Sequence, residues 1–279
     1  MKVSVIMGGN SSERDVSIMT GLSVYESIKN VYDVKLVELE SDFRTICDNC
    51  YDSDVIFIAL HGGFGENGGI QAYLDEYNFL YTGSNSKASV IANDKYHTKL
   101  IAIKEGILTP EFILINLESS PNIAFQDLDI NFEGPYVVKP VNEGSTMGLS
   151  IIESKKDLDT AILLSKEFSN NILIEKYIEG KEVTVGIIGN RALPIVEIVP
   201  KNNLYDYESK YTKGMSDYFV PADLPKNLTE SIQEDALRLY KKIGCSNYSR
   251  VDFRVNSKGE YFLLEINTLP GLTPTSLLP

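Results

Sequence analysis

An open parallel α/β domain followed by two α+β units is the fold class this sequence predicts, and three observations predict it. Two short apolar runs, Lys2 to Gly9 and Val55 to Leu60, each end in a glycine-rich loop and lead into a helical pattern. Such strand-loop-helix units build parallel sheets. Downstream, strands follow one another with few helices between them, and the chain closes on a hairpin of alternating polar and apolar residues, Arg250 to Gly271.

In chain order, KVSVIMGG is a buried strand, Ser12 is a plausible N-cap, and the following helix runs to about Lys29. VIFIAL is a second buried strand. Its loop, HGGFGENGG, precedes a helix with Ile70, Leu74 and Tyr77 on one face. Ligands of open α/β sheets sit at the carboxyl ends of strands, where both glycine loops fall. Ser86 to Gly106 reads as helix, and from Pro110 onward YVVKP, LSIIE and ILIEKYI read as strands. A helix carrying Leu158, Ala161, Ile162 and Phe168 lies between the last two. VTVGIIGN, ALPIVEIVP, a helix from Leu228 to Ile243 stopped by Gly244, and the hairpin make the final unit. Lys201 to Pro221 is polar and aperiodic, a loop long enough to be either a functional lid or disordered.

The hairpin is read as turning at Lys258-Gly259, so that Arg250 faces Asn267, Val251 faces Ile266 and Asp252 faces Glu265. In the same register Phe253 and Val255 face Leu264 and Phe262. Period-two alternation then puts six apolar side chains on one face and Arg250, Asp252, Glu265 and Asn267 on the other. Two carboxylates and an amide oxygen are hard ligands of the kind Mg²⁺ takes while it holds nucleotide phosphates, with a guanidinium beside them to meet negative charge. A solvated polar sheet face has the same pattern, and both readings stand at this point.

Composition narrows the function classes. The 279 residues suggest about two domains, with one or three as alternatives. With 43% hydrophobic residues, no apolar run long enough to span a bilayer and no signal peptide, a soluble cytoplasmic protein is expected. A net charge of −13 without a basic cluster argues against nucleic acid as a partner. Cys47, Cys50 and Cys245 are odd in number and do not form a disulfide framework. Cys47 and Cys50 have CxxC spacing, but with no second pair and only two histidines a zinc or redox role is not expected.

Further motifs are individually weak. Lys139 ends an apolar strand before a loop with Gly144, Ser145, Thr146 and Gly148, where backbone N–H groups could approach phosphates. It is not a Walker loop, and an ordinary turn explains it equally. Glu175 and Glu182 flank a glycine turn and could accept from adenine or ribose, or be solvated surface. Glu13 in a first helical turn is favoured by the helix dipole alone, and His61 before two glycines could be a satisfied loop histidine.

Taken together, MGGNSSERDVS, ALHGGFGENGGIQAYLD, YTGSNSKASVIANDKYHTK, VVKPVNEGSTMG, IEKYIEGKEVTV, YDYESKY, VDF and LLEINTLPGLTPTSLLP occur in an order that resembles the D-alanine:D-alanine ligases of the ATP-grasp superfamily along the whole chain. The resemblance implies an ATP-grasp fold behind an N-terminal open parallel-sheet domain, over residues 1–86, 87–175 and 176–279. It implies ATP as substrate, two Mg²⁺ ions with Mn²⁺ as the alternative, a homodimer, and ligation of two D-alanines through an acyl phosphate for peptidoglycan precursors. By the same resemblance Lys99 and Lys139 contact phosphates, while Glu175, Lys176, Ile178, Glu182 and Leu264 hold the nucleotide. Asp252, Glu265 and Asn267 hold the metal ions. Glu13 anchors the first D-alanine ammonium with His61 nearby, and Arg250 and the Gly271 N–H form the oxyanion site. Ser145, Tyr211 and Lys210 belong to the catalytic set around Glu13, and Ser276 and Leu277 to the second carboxylate pocket.

The chain departs from the family pattern at Thr146, where a second serine is usual, and at Pro279, beyond which relatives usually continue into a helical segment. D-alanyl-D-lactate formation is disfavoured by Tyr211, and D-serine use by Ser276-Leu277. A non-catalytic nucleotide-binding relative should have lost Arg250 or a metal ligand, and all are present. A dinucleotide oxidoreductase would need GxGxxG after the first strand, which MGGNSSE does not supply.

Overall fold

A computed structural model describes residues 1–40, 42–119, 128–201 and 214–279. The first strand, β1 (Lys2–Gly8), is buried on both faces because it is central: it pairs in parallel with β2 (Asp33–Leu39) and with β3 (Val55–Ile58). Helix α1 (Arg14–Ile28) returns the chain across this sheet, and Gly21 allows the close approach. A Cβ on Gly21 would lie 2.6 Å from Met7 Sδ and 2.7 Å from Met7 Cβ. Gly21→Ala is therefore expected to overpack the helix-sheet contact and destabilise the fold by about 1–3 kcal/mol, read from urea denaturation. A Gly21→Ala protein as stable as the parent would show that the sheet yields instead.

The N-cap of α1 is Glu13, one residue later than the sequence suggests, because the Ser11 hydroxyl accepts the Glu13 N–H (3.2 Å). Ser17 then seals the strand ends: its hydroxyl accepts the Gly8 N–H (2.8 Å) and donates to the Ala59 carbonyl (2.7 Å). Short helices α2 (Thr45–Cys50) and α3 (Gly69–Glu76) complete this unit. Cys47, Cys50 and Cys245 are free thiols, and burial raises the pKa of Cys50.

The stretch read as one helix is two, α4 (Ser86–Asn93) and α5 (Lys95–Lys104). Asp94 breaks it, because its extended backbone and side chain make it an N-cap that accepts the His97 N–H at 2.9 Å. The second sheet, ordered β4-β7-β5-β6, comprises β4 (Phe112–Asn116), β5 (Tyr136–Pro140), β6 (Ser150–Ile152) and β7 (Asn171–Lys176), packed on α6 (Leu158–Lys166).

Among the described residues the third sheet has six antiparallel strands: β8 (Lys181–Ile188), β9 (Arg191–Ala192), β10 (Val196–Pro200), β11 (Ser216–Phe219), β12 (Tyr248–Val255) and β13 (Tyr261–Asn267). Helices α4, α5 and α7 (Lys226–Ile243) cover its apolar face, where Val183, Val185, Val251, Phe253 and Leu263 are buried. Strand β11 lies inside the segment read as an aperiodic loop, where it pairs with β10. Residues 202–213 of that segment, which hold Lys210 and Tyr211, lie outside the described residues.

The hairpin follows the expected register only for its first three pairs: Arg250 opposite Asn267, Val251 opposite Ile266, and Asp252 opposite Glu265. Beyond them Phe253 faces Leu263 and Val255 faces Tyr261, so the pairing has shifted by one. The turn is one residue longer than read: Asn256 N–H bonds the Glu260 carbonyl (2.9 Å), and Gly259 takes φ +79°. The ladder recovers the register of the Arg250, Val251 and Asp252 pairs through a bulge at Leu264. Two residues of the bulged strand oppose one of its partner there, and both Leu264 and Glu265 turn toward the same cleft.

Candidate active site

The cleft lies between the second and third sheets and encloses about 910 Å³, open solvent at its mouth included. Its lining includes Lys139, Ser145, Glu175, Lys176, Ile178, Glu182, Asp252, Leu264 and Glu265, so nine of the residues singled out from sequence converge. Val137, Met147, Leu149 and Ile151 add apolar surface, suited to a flat ring system with a polar edge. A smaller adjoining space shares Lys95, Glu143, Gly144 and Glu265 with the cleft and adds Glu66 and Asn267.

At the floor of the cleft Glu175 is divided between two lysines. Its Oε1 lies 3.1 Å from Lys99 Nζ and its Oε2 lies 2.9 Å from Lys139 Nζ, with Lys99 and Glu175 almost wholly excluded from solvent. Burial alone would raise the Glu175 pKa, but Lys139 and then Lys99 outweigh it and hold the carboxyl below its ordinary value. Burial drives Lys99 down to about 8, against the opposing pull of Glu175. This carboxylate is thus paired with lysines while it also lines the cleft.

The two expected phosphate lysines are placed differently. Lys99 does not line the cleft; its Nζ, 3.1 Å from Glu175, also donates to Thr109 Oγ1 at 2.6 Å, and Thr109 donates to the Leu263 carbonyl at 2.9 Å. Lys95, at the first position of α5, does line the cleft, together with Lys139 and Lys176. Its Nζ sits 3.2 Å from Glu265 Oε2 and 2.6 Å from the Glu143 carbonyl. Sequence reading missed Lys95; the signal was Asp94, whose capping preference starts a new helix there and sets Lys95 and Lys99 a turn apart on different surroundings.

Asp252 is fixed by a bidentate pair with Arg250, both bonds 2.9 Å, and by Thr184 Oγ1 at 2.5 Å. Glu265 lies directly across the ladder, and Asn267 follows two residues on. Asn267 Oδ1 accepts the Leu269 N–H (2.8 Å). Among the described residues no cluster of three or more His, Cys, Asp or Glu side chains could hold a metal. The donor set is instead two carboxylates and an amide oxygen on one strand pair, with cationic neighbours. That set fits a hard divalent cation completing its shell with phosphate oxygens and water. Arg254, not singled out from sequence, lies with its guanidinium 5.0 Å from the Tyr177 ring centre and its Nη1 3.6 Å from Glu182, bracing the segment between β7 and β8.

Glu13 is buried and accepts a hydrogen bond from the Ser145 hydroxyl, so the first unit's helix start meets the glycine loop after β5. His61 is buried beside it, its Nε2 2.9 Å from Thr20 Oγ1 and its Nδ1 3.3 Å from Glu66 Oε1. Near the chain end, Gly271 packs against Ser276, whose Oγ accepts the Thr273 N–H at 2.9 Å; Leu277 is half-buried.

The lysine-carboxylate floor predicts a pH effect. Because Glu175 titrates lower in the folded chain than its ordinary 4.5, the unfolded chain binds more protons in that range. Its contribution is therefore complete above about pH 4.5 and is lost as pH falls through the depressed folded value. Glu175→Gln, which leaves two buried ammonium groups without their counter-charge, is expected to cost about 3–5 kcal/mol at pH 7 and to flatten the acid limb of the stability profile. Urea midpoints from pH 3 to 7 check both; an unchanged acid limb would place the sensitivity elsewhere.

Comparison with known proteins comes down on the same side. Residues 101–279 match the family described as D-ala D-ala ligase C-terminus. The chain is 44% identical to D-alanine--D-alanine ligase of Halalkalibacterium halodurans over 288 aligned residues, covering 100% of this chain and 92% of that protein. The crystal structure of D-alanine--D-alanine ligase from Bacillus anthracis complexed with ATP superposes with a TM-score of 0.86 at 37% identity, covering 100% of this chain and 89% of that one. The VanG D-Ala:D-Ser ligase from Enterococcus faecalis gives a TM-score of 0.83 at 28% identity, with 100% and 93% covered.

Proposed function

This chain belongs to the D-alanine–D-alanine ligase family, and from that membership we propose that it joins two D-alanine molecules at the expense of ATP, forming ADP and phosphate. The observation that supports this reading most is the facing pair Asp252 and Glu265, each held by a cation, at the end of a cleft floored by Lys139 and Glu175.

In this reading the nucleotide occupies the cleft. Its base lies among Val137, Ile151, Ile178 and Leu264, with Lys176 and the backbone after it at the polar edge. Glu182 takes the ribose hydroxyls, and Lys95 and Lys139 face the phosphates. Asp252, Glu265 and Asn267 would hold two Mg²⁺ ions, which when bound neutralise charge on the transferred phosphoryl group.

Glu13, fixed by Ser145, holds the ammonium of the first D-alanine, whose carboxylate oxygen attacks the γ-phosphorus as the bond to ADP breaks. The free amine of the second D-alanine adds to the resulting acyl carbonyl and loses its proton. Arg250 and the Gly271 N–H donate to the oxyanion, a term worth roughly 3–4 kcal/mol per good donor, before phosphate leaves. Ser276 and Leu277 receive the second carboxylate. Tyr211 and Lys210 enter only through their place in the motif. A homodimer is part of the same proposal, and light scattering tests it.

Phosphate release with ATP, Mg²⁺ and a panel of D-amino and D-hydroxy acids tests the reading. D-alanine as both substrates is the expected preference; D-lactate or D-serine dominating as second substrate would replace it with the depsipeptide or D-serine alternative. No helix among the described residues is long and apolar enough to cross a membrane.

A further inference from the structure

One buried hydroxyl links three parts of the substrate side. Thr20, on the inner face of α1, is 1% exposed; its Oγ1 lies 2.9 Å from His61 Nε2 and receives the Leu272 N–H at 3.4 Å. The other ring nitrogen of His61 faces Glu66 Oε1 at 3.3 Å. With the His61 ring neutral and Glu66 ionised, the hydrogen-bonding inventory of these groups permits one consistent arrangement. An ionised carboxylate only accepts, so Nδ1 must carry a proton. The Leu272 amide only donates, so Thr20 accepts from it and is left with its own proton to give. Nε2, bare in the neutral ring, takes that proton. In the opposite tautomer two lone pairs would meet at Glu66 and the Thr20 hydrogen would have no acceptor in this chain of bonds.

We propose that Thr20 is a positioning residue: its single hydroxyl fixes His61 as the Nδ1–H tautomer aimed at Glu66 and ties the Gly271–Leu272 segment to α1. The effect reaches the reaction at two places. Glu66 borders the space that also contains Glu265 and Asn267, and Leu272 follows the residue whose N–H is assigned to the oxyanion. This role rests on the ligase reading, but the tautomer it requires does not.

The test uses the full chain labelled with ¹⁵N-histidine. Only two histidines are present, and the His97 ring is 62% exposed, so a His97→Gln variant assigns the spectrum. Long-range ¹H–¹⁵N correlations at pH 8.5 are expected to show His61 as the Nδ1–H tautomer in the parent and in Thr20→Ser. Thr20→Val should shift it toward the other tautomer. In the same samples Thr20→Val should raise KM for D-alanine about tenfold, the equivalent of one hydrogen bond, with KM for ATP changed less than about twofold and Thr20→Ser close to the parent. An Nε2–H tautomer in the parent, or no tautomer change in Thr20→Val, overturns the proposal. So does an equal rise in both KM values, or a Thr20→Ser protein as impaired as Thr20→Val. If the parent ligates nothing, the ligase reading fails while the tautomer measurement still decides the role of Thr20.

Discussion

Glu265→Gln is expected to reduce turnover by more than about 100-fold while leaving the protein folded. The substitution keeps the size of the side chain and removes one negative charge at the proposed point of phosphoryl transfer. Glu265 sits on the cleft side of β13 with 28% of its side chain exposed, so little packing is lost. What is lost is the counter-charge to Lys95 and one of the two carboxylates of the proposed metal site. Two measurements separate the consequences: phosphate release with saturating D-alanine, and the rise in melting temperature when Mg²⁺ and ATP are added. Ligand that binds the folded state alone stabilises it by mass action, so a weakened metal site should diminish that rise. Near-normal phosphate release by a folded Glu265→Gln protein would remove Glu265 from the metal site.

How far the sequence carried can be followed along this strand. Alternation in VDF and LLEIN was enough to place Asp252, Glu265 and Asn267 on one face, because the period of a strand is fixed and the apolar set had to be buried. The bulge at Leu264 was not legible: a longer turn and a compensating bulge leave the terminal pairs unchanged, so no pattern of hydrophobicity distinguishes them. The same holds for Glu175. Its residue type suggested a polar ligand contact, but only α5, packed on the third sheet, brings Lys99 to within 3.1 Å of it, and such contacts between distant segments leave no mark on local periodicity. The first sheet was readable from β1 and β3, whose apolar runs are continuous. Strand β2 was missed because its half-exposed residues alternate with charges at an edge.

The two lysines of α5, Lys95 and Lys99, give the second large effect and should separate cleanly. Lys95→Met removes the ammonium that spans the Glu143 carbonyl and Glu265 and that faces the proposed phosphate position. Turnover is expected to fall more than about 100-fold with a raised KM for ATP, since phosphoryl transfer relies on positioning and charge rather than covalent help from the protein. Lys99→Met acts differently. The buried floor contains two lysines and one carboxylate, so removing Lys99 leaves Glu175 and Lys139 as a neutral pair, and a methionine fills the vacated space. Replacing a buried charge by an apolar side chain of similar volume is often close to neutral for stability when the remaining charges balance. The expected Lys99→Met protein is folded, within about 2 kcal/mol of the parent, and within about tenfold of its turnover. Steady-state kinetics in ATP and a urea titration of each variant decide it. A Lys99→Met enzyme as crippled as Lys95→Met, yet equally stable, would return Lys99 to the phosphates and make its buried position a resting arrangement that ATP rearranges.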